Sequence, residues 1–318
     1  MTLIRNIQSR ISESDSRQVR PIWRILAVLL AIVPAYYGGQ LLVFELVGSF
    51  IGPESSQTAV EIAGVIEVAG RLISVALALF IAVTISTRLD ARHLREYGFE
   101  NSPEWWRDLI GGIGIGVAAV IGIAGYMVAR GTGQLVVSTS GTGSERLLSA
   151  VAAIVVILVF LLVNSTLEEF VFRGVFMLNV AEGLQARWTN LLVVSVMAVS
   201  VSALVFGLFH IINGPLAIMS SAVMGIFWGI AYLFTGRLAL PLGAHLGGIS
   251  VSVLSQEQFG GFTLPTVVAL EPIGEPTLLG SIEIWAIRVL VGLSLVCLWV
   301  LTFYGRIGIH ERFVFNLK

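Results

Sequence analysis

A chain of 318 residues that is 56% hydrophobic and only 12% charged, with a mean hydropathy of +0.90, is no soluble globular domain, where about a quarter of residues carry charge. Its net charge of -1 offers nothing to nucleic acid, and its one cysteine, Cys297, lies inside an apolar run. A disulfide framework and a cysteine-rich metal site are thereby excluded.

In chain order, residues 1–20 are polar and carry Arg5, Arg10, Arg17 and Arg20. No small-residue cleavage pattern follows a short apolar core, so they read as a mobile, uncleaved cytoplasmic tail. Apolar runs then fall near 22–47, 60–86, 107–129, 147–167, 189–209, 215–234, 238–254 and 283–304. Each is long enough to cross about 30 Å of hydrocarbon. Each must be helical, because an open strand in lipid leaves backbone groups without partners. The expected fold is an all-α polytopic membrane protein, a bundle of about eight transmembrane helices forming one domain over residues 21–318.

Orientation follows from the nineteen basic residues. Arg130 and Arg146 fall in the connections near 48–60, 130–146, 210–214 and 255–282, and Arg71, Arg173 and Arg288 lie within runs. The others lie in or beside the tail, the 87–107 connection, the 180–188 and 234–238 turns and the C-terminal segment, which places both termini in the cytoplasm and the protein, multi-pass, in the cell membrane. Between Arg88 and Arg107, with Trp105 and Trp106, the sequence predicts a helix lying at headgroup level. Between 255 and 282, Pro265, Pro272, Gly274 and Pro276 accompany Glu257, Glu271 and Glu275, and an irregular outer loop is expected. No internal repeat is evident.

Function is to be sought in polar groups inside the apolar runs. Glu168 and Glu169 stand together in Glu168-Glu169-Phe170-Val171-Phe172-Arg173. One carboxylate inside a membrane span costs roughly 2.5 to 3.5 kcal/mol even on the lenient insertion scale. Adjacent carboxylates repel, which holds one proton in a range useful for transfer. Glu169 and Arg173 are four apart and can meet on one helix face; a structural ion pair that locks a bend is the competing reading. The preceding Ser165-Thr166 resembles a helix cap, predicting that the helix restarts or bends there.

Two histidines follow in apolar surroundings. His210 ends Phe206-Gly207-Leu208-Phe209-His210 ahead of Asn213, Gly214 and Pro215, and His245 lies in Gly243-Ala244-His245-Leu246-Gly247-Gly248. His210 alone reads equally as a C-terminal helix cap. The glycines allow close helix approach or room for a substrate backbone. An acid pair with two imidazoles suits hydrolysis by activated water, with the carboxylate as base and the imidazoles orienting water and stabilising the oxyanion. The same set can hold zinc. There is no His-Glu-x-x-His motif, and no serine or cysteine lies in a nucleophile pattern.

Glu168-Glu169-x-x-x-Arg173, Phe206-x-x-x-His210 and the later His245, in this order, resemble the three-motif signature of the CPBP family, which includes type II CAAX prenyl endopeptidases and Abi-like bacteriocin-processing proteins. The likeness covers residues 90–255, including Leu94-Arg95-Glu96-Tyr97-Gly98-Phe99. It implies an eight-helix intramembrane endopeptidase acting on a membrane-tethered peptide or protein. In it Glu168 activates water with His210, His245 supports the oxyanion, and Glu169 and Arg173 organise the site, without a metal or other cofactor. Phe206 and Asn213 are supporting candidates.

Two features stand against this. The family's third motif continues to an asparagine four positions after the histidine, where this chain has Ile249; a lost oxyanion donor costs roughly 2.7 to 4 kcal/mol in other enzymes. Asn213, Ser250 or Asn164 are the available substitutes, and impaired catalysis is an expected consequence. Secondly, straight spans over 147–167 and 189–209 would set Glu168 and His210 about 30 Å apart at 1.5 Å per residue. The alternatives are a non-catalytic scaffold or regulator that keeps the bundle and, in a third class, a carrier, for which the repeated broken helices are missing.

Overall fold

The computed structural model describes residues 19–52, 54–137, 147–255, 258–259, 262–263, 268–274 and 277–315. All of the expected tail but Val19 and Arg20 lies outside these residues, as do Arg146, Glu257, Pro265, Glu275 and Pro276. Among the described residues seven helices are long and apolar enough to span a membrane: Pro21–Gly48, Ile62–Leu89, Pro103–Ala129, Val151–Gln185, Leu191–Leu208, Pro215–Thr235 and Leu278–Tyr304. An eighth, Ala239–Leu254, is apolar and shorter. The protein is a polytopic all-α membrane protein.

The first span joins α1 (Pro21–Val33) to α2 (Gly39–Gly48) through a π-helical turn, Pro34–Gly38. Pro34 has no N–H for the helical ladder, and the wider turn absorbs the break. Then come α3 (Gln57–Leu89) and α4 (Pro103–Ala129). Between them lies no headgroup-level helix but a 3₁₀ turn, Leu94–Tyr97, with Tyr97 buried. Trp105 is also buried, against Ala239 and Leu242, and donates to the Gly98 carbonyl at 3.0 Å. Only Trp106 of that pair is exposed. The link is drawn inward because Asp90, buried beside it, accepts from the Tyr97 hydroxyl at 2.7 Å and from Asn179 at 3.0 Å. Arg24 and Arg92 meet Glu182 there at 3.0 and 2.7 Å. Burial raises the Asp90 carboxyl above its ordinary value, against the pull of Tyr97, Arg92, Asn179 and Arg24.

The fourth span corrects two expectations. From α5 (Leu147–Glu169) the chain runs through a π-helical stretch, Phe170–Met177, into α6 (Leu178–Gln185) without restarting at Ser165-Thr166. The Thr166 hydroxyl donates to the Leu162 carbonyl at 2.7 Å, as a mid-helix threonine does. The span therefore does not end at Leu167, and Glu168 and Glu169 sit within it rather than at its cytoplasmic end. The Ser202 hydroxyl donates to the Phe172 carbonyl at 2.7 Å, satisfying a backbone group inside the π-helical stretch.

Next, α7 (Leu191–Leu208) and α8 (Pro215–Thr235) pack antiparallel through Gly207 on Ala222, Gly225 on Ala203 and Gly229 on Val199. Gly214 turns the chain at φ +90° and Pro215 starts α8. The tightest pairing is between α4 and α9 (Ala239–Leu254), which run parallel. A Cβ on Gly116 would lie 2.2 Å from the Ala244 carbonyl oxygen, and one on Gly247 would lie 2.3 Å from that of Ile113. This is small-residue packing of the kind that lets helix backbones touch in lipid, where burial offers little drive. The last span is α10 (Leu278–Tyr304).

The outer connections are more ordered than the expected irregular loop. Strand β1 (Gly133–Val137) pairs antiparallel with β4 (Val268–Pro272), and short β2 (Gln258–Phe259) and β3 (Phe262–Thr263) pair with each other.

Candidate functional site

The contact between α4 and α9 fixes His245, and the bend-free α5 brings both glutamates to it. Glu168, Glu169, Arg173 and His245 are at most 4% exposed. Nδ1 of His245 lies 2.8 Å from Glu169 Oε1. A carboxylate can only accept, so Nδ1 carries the proton and Nε2 is left bare. That nitrogen stands 3.6 Å from Glu168 Oε2, beyond a direct hydrogen bond and within reach of a shared water. Glu169 Oε1 also lies 3.1 Å from Arg173 Nη1, while its Oε2 is buried without a partner. The imidazole of His245 stacks on Trp228 at 3.8 Å between centroids, 16° from parallel. The Arg173 guanidinium lies over Phe206 at 4.6 Å and Trp228 at 5.2 Å, a cation–π seat that replaces part of its lost hydration.

Glu168 has a second support. Asn164, one turn before it, donates to Glu168 Oε1 at 2.9 Å and accepts from the Tyr36 hydroxyl at 3.0 Å. Tyr36 stands in the π-helical turn of the first span. It also lines a pocket of about 330 Å³ with Tyr37, Gln40, Arg71, His210 and Asn213. There Nδ1 of His210 donates to the Phe206 carbonyl at 3.0 Å, again leaving Nε2 bare.

The structure thus brings Glu168, Glu169, Arg173, Phe206 and His245 into one cluster, and places His210 and Asn213 in the adjoining pocket. Phe206 joins the two, its ring 4.8 Å from that of His210 and 6.4 Å from that of His245. The resemblance couples Glu168 with His210; the imidazole that faces Glu168 here is His245. Ile249 packs against the hydrophobic core. Of the three substitutes, Asn164 reaches Glu168, Asn213 stays in the His210 pocket, and Ser250 lines a separate apolar groove with Val155, Leu158 and Val251. Sequence reasoning missed Tyr36 and Trp228, aromatic residues in apolar helices with no pattern to single them out. Among the described residues no group of three or more histidine, cysteine or acidic side chains is arranged to hold a metal ion.

Residues 150–248 match the family model described as type II CAAX prenyl endopeptidase Rce1-like. The match runs from α5 into α9 and takes in Glu168, Glu169, Arg173, Phe206, His210 and His245, while α1 to α4 and α10 lie outside it. No curated protein and no solved structure matches the chain.

Proposed function

Because residues 150–248 form an Rce1-like, type II CAAX prenyl endopeptidase domain, we propose that this membrane protein is an intramembrane endopeptidase that hydrolyses a membrane-tethered peptide or protein by glutamate-activated water, in the cell membrane and with both termini cytoplasmic. The observation that carries the reading is the 3.6 Å separation of Glu168 Oε2 from the bare Nε2 of His245, with Glu169 holding the far side of the imidazole. Water between them gives its proton to Glu168 and its oxygen attacks the scissile carbonyl carbon. The tetrahedral oxyanion collapses, and Glu168 returns the proton to the departing amine, leaving a carboxylate and an amine. His245 orients the water. His210, with Asn213 beside it, serves the oxyanion from the adjoining pocket, while Arg173 and Phe206 fix Glu169 and the ring stack. No step needs a metal.

Ile249 favours a second reading, a non-catalytic scaffold or regulator that keeps the bundle. Purified protein in nanodiscs, treated with a chelator and given a fluorogenic prenylated tetrapeptide, separates the two. The hydrolase cleaves it, and Glu168→Ala or His210→Ala abolishes cleavage without changing elution as a folded species. Equal rates in either variant remove the assigned role; no cleavage by the native chain leaves the scaffold.

A further inference from the structure

Arg24, Arg71 and Arg173 each meet a carboxylate within the spans: Glu182, Glu67 and Glu169. Arg288, within the span Leu278–Tyr304, has none. Among the described residues no acid acts on it and no acceptor binds it. Glu283, nearer the outer end of α10, meets Tyr126 and Arg130, and Arg288 lies about 7.5 Å deeper along the helix. An uncompensated cation at that depth is costly and marks a pathway or a ligand.

The side chain faces the bundle rather than lipid. A Cβ on Gly248 would lie 2.6 Å from Arg288 Nη2, so that glycine admits the guanidinium against α9. Gly248 and His245 are three apart on one helix, roughly 5 to 6 Å between β-carbon positions. One turn along α10, Gly292 closes on Phe227, the neighbour of the tryptophan stacked on His245. Arg288 therefore stands on the helix face that closes the site, yet outside the reach of Glu168 and Glu169.

We propose that Arg288 receives the terminal carboxylate of the peptide substrate, an inference that rests on the endopeptidase reading. A planar guanidinium takes a carboxylate through two parallel N–H···O bonds, and its place beside Gly248 sets that anion about one helical turn from His245. The inward direction of the side chain favours a peptide carboxylate over a lipid phosphate.

The test uses full-length protein carrying Glu168→Gln, to stop turnover, in nanodiscs of phosphatidylcholine. The probe is a fluorescent prenylated tetrapeptide with a free C-terminal carboxylate, compared with its C-terminal amide. The acid is expected to bind at least about tenfold more tightly than the amide, with the preference lost in Arg288→Gln and partly kept in Arg288→Lys. Equal affinity for acid and amide overturns the proposal without any arginine variant, as does a preference that survives Arg288→Gln or failure of both peptides to bind. Phosphatidylglycerol that co-purifies with the native protein but not with Arg288→Gln, alongside equal acid and amide binding, assigns the cation to lipid instead. Acid preference without cleavage by the Glu168-intact protein sinks the hydrolase reading and leaves the receptor standing; cleavage of acid and amide alike sinks the receptor alone.

Discussion

Two buried charge clusters hang on the same span, one on α6 and one on α5. At the first, Asp90 and Glu182 face Arg24 and Arg92, with Asn179 and Tyr97 donating to Asp90. Acids and bases balance, and the contacts tie α1, the end of α3 and α6 together. At the second, Glu168 and Glu169 face one arginine and a histidine whose only proton points at Glu169. The first arrangement is complete as it stands, whereas the second carries an excess carboxylate that must hold a proton or share water. A folding element and a reactive one are thus built from the same residue types, distinguished by charge count and by one separation too long for a direct bond.

Breaking each cluster should separate activity from stability. Glu168→Gln removes the base and the excess charge together, so cleavage falls by about a hundredfold to ten-thousandfold while the unfolding midpoint holds or rises; a collapse of the midpoint would show that this cluster also serves the fold. Arg24→Met strands two buried acids and should cost about 3 to 5 kcal/mol in denaturant unfolding, with the rate per folded molecule unchanged. An equal loss of rate would show the clusters to be coupled.

A smaller effect sharpens the boundary between them. Asn164→Leu deprives Glu168 of a charge-assisted hydrogen bond worth about 1.5 to 3 kcal/mol, slowing cleavage about tenfold to a hundredfold, while Tyr36→Phe removes only a neutral bond and slows it a few-fold. Both are read as kcat on the prenylated tetrapeptide, and a Tyr36→Phe loss as large as that of Asn164→Leu would contradict the order of support.

The smallest effect lies at the C-terminal segment. Nδ1 of His310 accepts from the Arg312 N–H at 3.1 Å, and burial, with Arg312 nearby, lowers its pKa below the ordinary 6.5. A histidine lowered in this way stabilises the folded state while neutral and loses that contribution as pH falls below 6.5 toward the folded value. Amide exchange over residues 305–315 should therefore quicken between pH 7.5 and 5.5, and His310→Gln should flatten the response; an unchanged pH response in that variant would place the sensitive group elsewhere.

The eight helical segments were legible because hydropathy reads lipid contact directly, and each expected apolar run falls on a helix. Glu168, Glu169, Arg173 and His245 stood out because charge inside such a run is expensive. What misled was the same rule applied to boundaries. Taking the glutamates as the end of a run shortened the fourth span and opened a gap of some 30 Å by the helical rise. Ser165-Thr166 carried the chemistry of a cap, but packing on both sides keeps the helix going. Trp105-Trp106 resembled an interfacial pair, though only tertiary contact with Ala239 and Leu242 decides which ring is buried. The partner of Asn164 could not be read at all, since Tyr36 reaches it from a different span.

The π-helical stretch Phe170–Met177 lies between the two clusters. A π turn accommodates one residue more than an α turn, so loss of a single residue there would rotate all that follows by about 100°. Asn179 and Glu182 would swing away from Asp90 and Arg24 while Glu168 and Glu169 stayed beside His245. Within residues 170–177 the protein is therefore bound to a residue number more strictly than to a residue identity, and relatives that vary in spelling there must agree in length.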